Sequence, residues 1–341
     1  MTTMVPFAAK SMSEEKHTVK NGASPGLQGR VRTLTLLEER WLSCVGHMAA
    51  AGKQEAEKLS GKAAARVVHG RGAGGDRTLE IDQVCETVML AVLEREAPAP
   101  YLVVSEEAGV LGAQEAAWRV VVDPVDGSLN AKRGLAPFAA SIAVAGGDTI
   151  KDVEIGYVEE YTRPRYFAAV KGAGLVVADP AGNGRWLAVA ATSQTATEGL
   201  SPQGGRLSEG RVEVVLLEAS RPDRHHFSYR DLGMLVSGCS EPELRVRQIG
   251  SLALSLCYVA VGIADVLVAA VPSRSVDVAA GLRILAEAGG GAMALNEEDL
   301  WDQPLDLEKR CAFVAWRAGL ETAELLERSR QLAKTLIADL T

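Results

Sequence analysis

Asp123-Pro124-Val125-Asp126-Gly127-Ser128 closes a short β-rich run, Trp118-Arg119-Val120-Val121-Val122. Pro124 fixes φ and offers no N–H, so the backbone turns there, and two carboxylates three positions apart can face one point in space. Gly127 lets a ligand approach the backbone closely, and the amides of Gly127 and Ser128 can point at an anion in the manner of a nest. Together these are the parts of a phosphate site beside a metal. An ordinary Pro-Asp-Gly turn with solvated carboxylates accounts for each short piece of the string, but poorly for all six positions at once.

Three other segments bring carboxylates to the ends of elements. Tyr101-Leu102-Val103-Val104 runs into Ser105-Glu106-Glu107, Asp82 follows a Gly-rich stretch and suits a helix N-cap, and Asp277 lies at a helix start, where the macrodipole favours a negative charge. Taken singly, each reads more readily as a solvated strand end or helix cap than as part of a site. Gly70 to Gly75 lacks the Lys-Ser/Thr that a triphosphate-binding loop needs, and the adjacent His225 and His226 cannot aim at one ion from a helix or strand. Gly250-Ser251 before an apolar helix reads either as a cap or as a pair facing a ligand.

These residues need a scaffold of mixed α and β. Leu34, Leu37, Trp41, Cys44, Val45 and Met48 recur at helical steps and predict a first helix to about Ala51. His69 to Gly75 is expected to be a mobile loop, followed by a helix from Asp82 to about Glu96 that ends before Pro98. β-like runs at 141–145, 153–157, 166–170 and 187–191, separated by turn residues, predict an antiparallel sheet. Beyond the polar stretch 192–209 come a strand at 212–217, a helix at 222–237 and a strand at 244–249. A helix from Gly250, a strand at 265–271, a helix at 277–288 stopped by glycines and a last amphipathic helix at 321–340 complete the pattern. The expected organisation is a tail over 1–30, an N-terminal α+β part over 31–205 and a C-terminal α/β part over 206–341.

The chain has 341 residues, 47% of them hydrophobic, enough for a large core. Its 36 Lys and Arg against 44 Asp and Glu leave a net charge of -8, which argues against a nucleic-acid polymer or an anionic membrane as partner. The longest apolar stretch, 255–271, is interrupted by Gly262 and Asp265 and falls short of the roughly 20 residues of a bilayer span. The start has no signal-peptide pattern, and the 5 scattered cysteines include no CxxC pair, so reduced thiols in a cytoplasmic protein are expected.

In their order along the chain these segments resemble the inositol monophosphatase family of lithium-sensitive, magnesium-dependent phosphatases. The resemblance runs from about Val31 to the C-terminus. It is carried by Asp123-Pro124-Val125-Asp126-Gly127-Ser128-Leu129-Asn130 and by Val276-Asp277-Val278-Ala279-Ala280-Gly281 with Glu287-Ala288-Gly289-Gly290. Ile81-Asp82-Gln83, Ser105-Glu106-Glu107 and Ile249-Gly250-Ser251-Leu252-Ala253 support it.

The resemblance implies a layered αβαβα sandwich of the inositol monophosphatase and fructose bisphosphatase type, and a homodimer. It implies that Glu106, Asp123 and the Val125 carbonyl hold one Mg²⁺, that Asp123, Asp126 and Asp277 hold a second, and that a third, weaker ion shares Glu106. Asp82, Glu106 and Ser128 would be catalytic, with Ser128 orienting the attacking water. Asp126, Gly127, Ser128, Gly250, Ser251, Leu252 and Asp277 would contact a small phosphate monoester. An oxygen-only ligand set suits Mg²⁺. Two departures concern the substrate. The acidic contact to inositol hydroxyls is missing from Leu267-Val268-Ala269-Ala270-Val271-Pro272, where Arg274 is near enough to reach the cleft instead, and Val276 replaces the usual Trp. Myo-inositol 1-phosphate leads, with fructose 1,6-bisphosphate, histidinol phosphate and 3′-phosphoadenosine compounds as rivals. A non-catalytic regulatory relative and a metal-dependent nuclease are the competing classes.

Overall fold

The computed structural model describes residues 32–75, 77–178, 185–187, 211–218, 240–296, 298–320 and 327–328. Helix α1 (Leu36–Leu59) starts at Thr35, whose hydroxyl accepts from the Glu38 amide while the Glu38 carboxylate accepts from the Thr35 amide. It runs beyond the expected Ala51 because Gly52 and Ala56 continue the buried stripe with residues too small to register as apolar periodicity. Strands β1 (Val68–Arg71) and β2 (Arg77–Leu79) form a hairpin leading into α2 (Glu80–Glu96). The expected mobile loop is therefore half strand, and its turn is tied down: Ala73 N–H donates to the Glu107 carbonyl and Gly74 N–H to the Glu106 carbonyl.

β3 (Tyr101–Ser105), β4 (Gly109–Gly112) and β5 (Trp118–Asp126) precede the short helix α3 (Ser128–Arg133). β6 (Ala139–Ala145), β7 (Val153–Glu160), β8 (Arg165–Val170), β9 (Gly174–Ala178) and β10 (Arg185–Leu187) follow. They form an eight-stranded sheet in the order β10-β9-β8-β7-β6-β5-β3-β4, antiparallel except for the β3–β5 pair. β11 (Val212–Leu217), β12 (Ser240–Arg247), β13 (Val266–Arg274), β14 (Gly291–Ala294) and β15 (Arg310–Trp316) make a second sheet, ordered β12-β11-β13-β15-β14. Between its strands come α4 (Leu252–Ala260) and α5 (Ser275–Glu287).

Strand alternation sorts the core into layers. Along β6, Ala140, Ile142 and Val144 pack with α1 and α2, whereas Ala139, Ala143 and Ala145 pack with α4 and α5. Every residue of α4 from Ala253 to Ala260 is buried, as a helix lying between two sheets requires. The outer face of the second sheet is buried too, through Val212, Val266, Val268 and Val314. The fold is the expected layered α+β arrangement. The helices expected at 222–237 and 321–340 lie outside the described residues, apart from helical 327–328, and so does the boundary near 205. Cys44, Cys85, Cys257 and Cys311 are buried free thiols, and no helix among the described residues is long and apolar enough to cross a membrane.

Candidate metal and phosphate site

In a regular strand Asp123 and Asp126 would point to opposite faces of the sheet. Here Asp123 pairs with Ser141 and Asp126 with Ala139, so three steps along β5 match two along β6. The extra residue is a bulge at Pro124-Val125, and it brings both carboxylates into the same phase. Tyr161 Oη donates to the Pro124 carbonyl at 3.2 Å, and the Asp123 Oδ1 accepts from the Val125 amide at 3.0 Å. The bulged segment is thereby held from both sides.

Glu106 follows β3, the parallel neighbour of β5, so strand pairing alone sets it beside Asp123. The turn after β3 is gripped by Glu86 of α2, which accepts from the Ser105 hydroxyl and, at 3.0 Å, from the Ala108 amide. Asp277 reaches the same point from α5. Glu106, Asp123 and Asp277 can each offer a ligand atom within 4.8 Å of the others. These three come from separate segments and meet where β3 ends, β5 nears its end and α5 begins.

Asp82 and Asp277 occupy matching positions in their helices. Asp82 was expected as an N-cap, but the cap is Leu79, and Asp82 is the third residue of α2, its Oδ2 accepting from the Leu79 amide at 3.0 Å. Asp277 is likewise third in α5, with its Oδ2 accepting from the Arg274 amide at 3.0 Å. One carboxylate oxygen thus closes the first turn, and the other remains for the site. Asp82 Oδ1 lies 2.8 Å from Ser128 Oγ, which also lies 2.9 Å from the Val125 carbonyl. Ser128 has a single proton for these two acceptors.

Asp126 lies outside the three-carboxylate group. Its Oδ2 accepts from the Ser251 hydroxyl at 2.6 Å and the Ala253 amide at 2.7 Å, at the N-terminus of α4. The Leu252 amide also hydrogen-bonds to Asp126. Gly250 N–H donates to Glu218, 3.2 Å from Oε2, and Glu218 also accepts from the Ile249 amide at 3.1 Å and the Ser255 hydroxyl at 2.9 Å. Polar groups of Gly250, Ser251 and Leu252 are therefore engaged by protein carboxylates here. Gly127 has φ +96, and a Cβ there would stand 2.9 Å from the Gly250 carbonyl oxygen, so this glycine permits both the left-handed turn and the close approach of the two loops. Asn130 Nδ2 bridges the Pro137 and Ile249 carbonyls, each at 2.8 Å, and fixes that approach.

Burial and mutual repulsion dominate the electrostatics. Desolvation, with Glu106, Asp126 and Asp277 nearby, holds the Asp123 carboxyl well above the ordinary carboxylate range. Desolvation pushes Glu106 to about 8, aided by Asp277 and opposed by Arg274. It also pushes Asp126 to about 7 against the donors at α4, and Asp82 to about 7 against its hydrogen bonds to Ser128 and Leu79. Clustered hard oxygen donors whose ionised forms repel one another fit a hard divalent cation, with Glu106, Asp123 and Asp277 as the donors brought together.

Residue type and spacing alone do not mark Glu86, Asn130, Tyr161 or Arg310 as parts of the site. Glu218 was findable, since it stands just after a β-rich run, the signal that singled out Glu106 and Asp123. His47 and His69 pair with the surface carboxylates Glu96 and Glu80. His225, His226 and the Ser220-Arg221-Pro222 segment lie outside the described residues.

The profile described as the inositol monophosphatase family matches residues 41–339. A protein of Archaeoglobus fulgidus named fructose-1,6-bisphosphatase/inositol-1-monophosphatase is 29% identical over 252 residues, which are 72% of this chain and 81% of that one. The Nus factor SuhB of Pasteurella multocida is 30% identical over 216 residues, 63% of this chain and 70% of that one. A crystal structure described as an inositol monophosphatase-fructose 1,6 bisphosphatase superposes with a TM-score of 0.66 at 24% identity, covering 86% of this chain and 99% of that one, and shares its fold.

Proposed function

The chain belongs to the inositol monophosphatase family, whose members are phosphatases acting on phosphate monoesters, and from that premise we propose that it is a Mg²⁺-dependent phosphatase of myo-inositol 1-phosphate. The observation that carries this reading is the meeting of Glu106, Asp123 and Asp277 beside the Gly127-Ser128 turn. In it, Glu106, Asp123 and the Val125 carbonyl would hold one Mg²⁺, Asp123, Asp126 and Asp277 would hold a second, and a weaker third would share Glu106. Ions held there would supply Lewis acidity toward phosphate oxygens and would lower the pKa of a water.

The protein's own groups do the rest. Ser128 Oγ, set between Asp82 Oδ1 and the Val125 carbonyl, orients the attacking water, and Asp82 takes up its proton. A carboxyl raised to about 7 is matched to that exchange near neutral pH. The amides of Gly127 and Ser128 bind the phosphate, while Asp126 and Asp277 face the leaving alcohol. The water oxygen bonds to phosphorus as the ester P–O bond breaks, the departing alcohol oxygen takes a proton from solvent water and Asp82 returns its proton to solvent, giving inositol and inorganic phosphate. No covalent phospho-enzyme is needed.

A second reading keeps the chemistry and changes the substrate to fructose 1,6-bisphosphate. It is favoured by the absence of a carboxylate from Leu267 to Pro272, where buried Ala269 and Ala270 offer no partner to inositol hydroxyls. Histidinol phosphate and 3′-phosphoadenosine compounds follow as narrower rivals, and a homodimer is proposed with the enzyme. Phosphate release from these four esters in Mg²⁺, with and without Li⁺, tests the reading. The expected result is Mg²⁺-dependent, Li⁺-sensitive turnover with inositol 1-phosphate preferred. Preference for the bisphosphate selects the second reading, and no turnover of any ester rejects both in favour of a non-catalytic relative.

A further inference from the structure

We propose that Arg274 is a tethered competitor of the divalent cation, a counter-ion built into the chain that must leave Glu106 and Asp277 before metal can bind them. This rests on the proposed metal dependence of the site.

The geometry is that of an ion pocket filled by a guanidinium. Arg274 Nη2 lies 2.5 Å from Glu106 Oε1 and 3.1 Å from Asp277 Oδ1, and Nε lies 3.3 Å from Asp277 Oδ2. Two of the three clustered carboxylates are thereby bridged by one cation. Its side chain is only 6% exposed, and Nη1 donates to the Gly74 carbonyl at 3.0 Å. Arg310, the register partner of Arg274 across β13 and β15, donates to that same carbonyl at 3.1 Å. A Cβ at position 74 would stand 2.1 Å from Arg274 Nη1, so the glycine makes room for the guanidinium. The Gly-rich turn and the end of β13 are shaped around this side chain.

Charge decides what the arrangement does. With Glu106, Asp123 and Asp277 all ionised, as ligands to a cation must be, one guanidinium leaves the cluster two charges negative, and a small divalent ion reaching all three neutralises more of it at shorter range. The ion still has to displace a cation attached three residues from Asp277, whose tether keeps its effective concentration at the site high. Arg274 therefore keeps the acidic cluster stable without metal and lowers its affinity for metal. Loading also loosens the grip on Gly74, leaving that carbonyl to Arg310.

Calorimetric titration of Mn²⁺ into the full chain tests this, together with melting in EDTA. Arg274→Gln is expected to bind at least tenfold more tightly than the wild type, and Arg274→Lys, which keeps the charge but loses the planar fork, to fall between. In EDTA the Gln variant is expected to melt below the wild type, with the gap closing in saturating Mn²⁺. Equal affinity in all three proteins, or weaker binding by the Gln variant, overturns the proposal. Should the Gln variant not fold in EDTA, the Lys variant carries the comparison, and wild-type affinity there overturns it. If no protein binds Mn²⁺ at all, the metal reading falls as well, so the two failures are distinguishable.

Discussion

Asp123 and Ser128 do different work in this account, and their substitutions separate the two. Asp123→Asn removes a donor shared between proposed ions, and turnover is expected to fall by more than the roughly 10–100-fold usual for a partner in the outer shell of a metal site. Metal binding, followed by calorimetry, should weaken with it. Ser128→Ala leaves every carboxylate in place, so metal affinity is expected to hold while kcat drops by about 10²–10⁴, the range of a lost acid–base contact. Parallel loss of metal affinity and kcat in Ser128→Ala would contradict the assignment. Glu218 touches neither the carboxylate cluster nor Ser128 in any described contact, yet it accepts from Ile249, Gly250 and Ser255. Glu218→Ala removes the carboxylate acceptor of the Ile249 and Gly250 amides, while the Ser255 hydroxyl keeps the Ser251 carbonyl at 2.8 Å, and a loss of about 1–3 kcal/mol in unfolding free energy is expected by urea titration.

At the scale of elements, the site depends on irregularities more than on the regular strands and helices that carry it. The Pro124-Val125 bulge sets the phase of two aspartates, and the first turns of α2 and α5 each present a carboxylate from their third position. The Gly127 and Gly250 turns then pack against each other. Gly127→Ala forces a Cβ into the left-handed region and toward the Gly250 carbonyl, with an expected cost of about 1–3 kcal/mol in stability and a larger loss of turnover, read by thermal melting and phosphate release. Unchanged activity would show that the loop contact is incidental. The strands β3, β5 and β11 were legible from β-rich runs, and carboxylates at strand ends marked Glu106 and Asp123. The hairpin of β1 and β2 was not, because glycine-rich sequence looks alike in a free loop and in a turn pinned by backbone bonds to Glu106 and Glu107. Nor could spacing reveal that Arg274 bridges Glu106 and Asp277, since that contact joins positions 168 residues apart.

Across the whole molecule, two sheets with helices between them bury several carboxylates that water would otherwise solvate. Asp82 and Asp126, raised to about 7, and Glu106, raised to about 8, hold protons in the native state that the unfolded chain has released. The stability they contribute is complete below the ordinary carboxylate pKa near 4 and is lost as pH rises through 7 and 8. In EDTA the melting temperature is therefore expected to fall between pH 5 and pH 8, and Mg²⁺ is expected to flatten that slope. The lowered carboxyl of Glu38, near 2, acts well below this window. A melting temperature that rises with pH in EDTA would mean that groups elsewhere govern stability. The most direct measurement is phosphate release from myo-inositol 1-phosphate as Mg²⁺ is titrated into EDTA-treated protein. No turnover is expected without the ion, with a saturable rise as it is added and almost none in Asp123→Asn, whereas full turnover in EDTA or wild-type rates in that variant would contradict a metal-dependent site at Asp123.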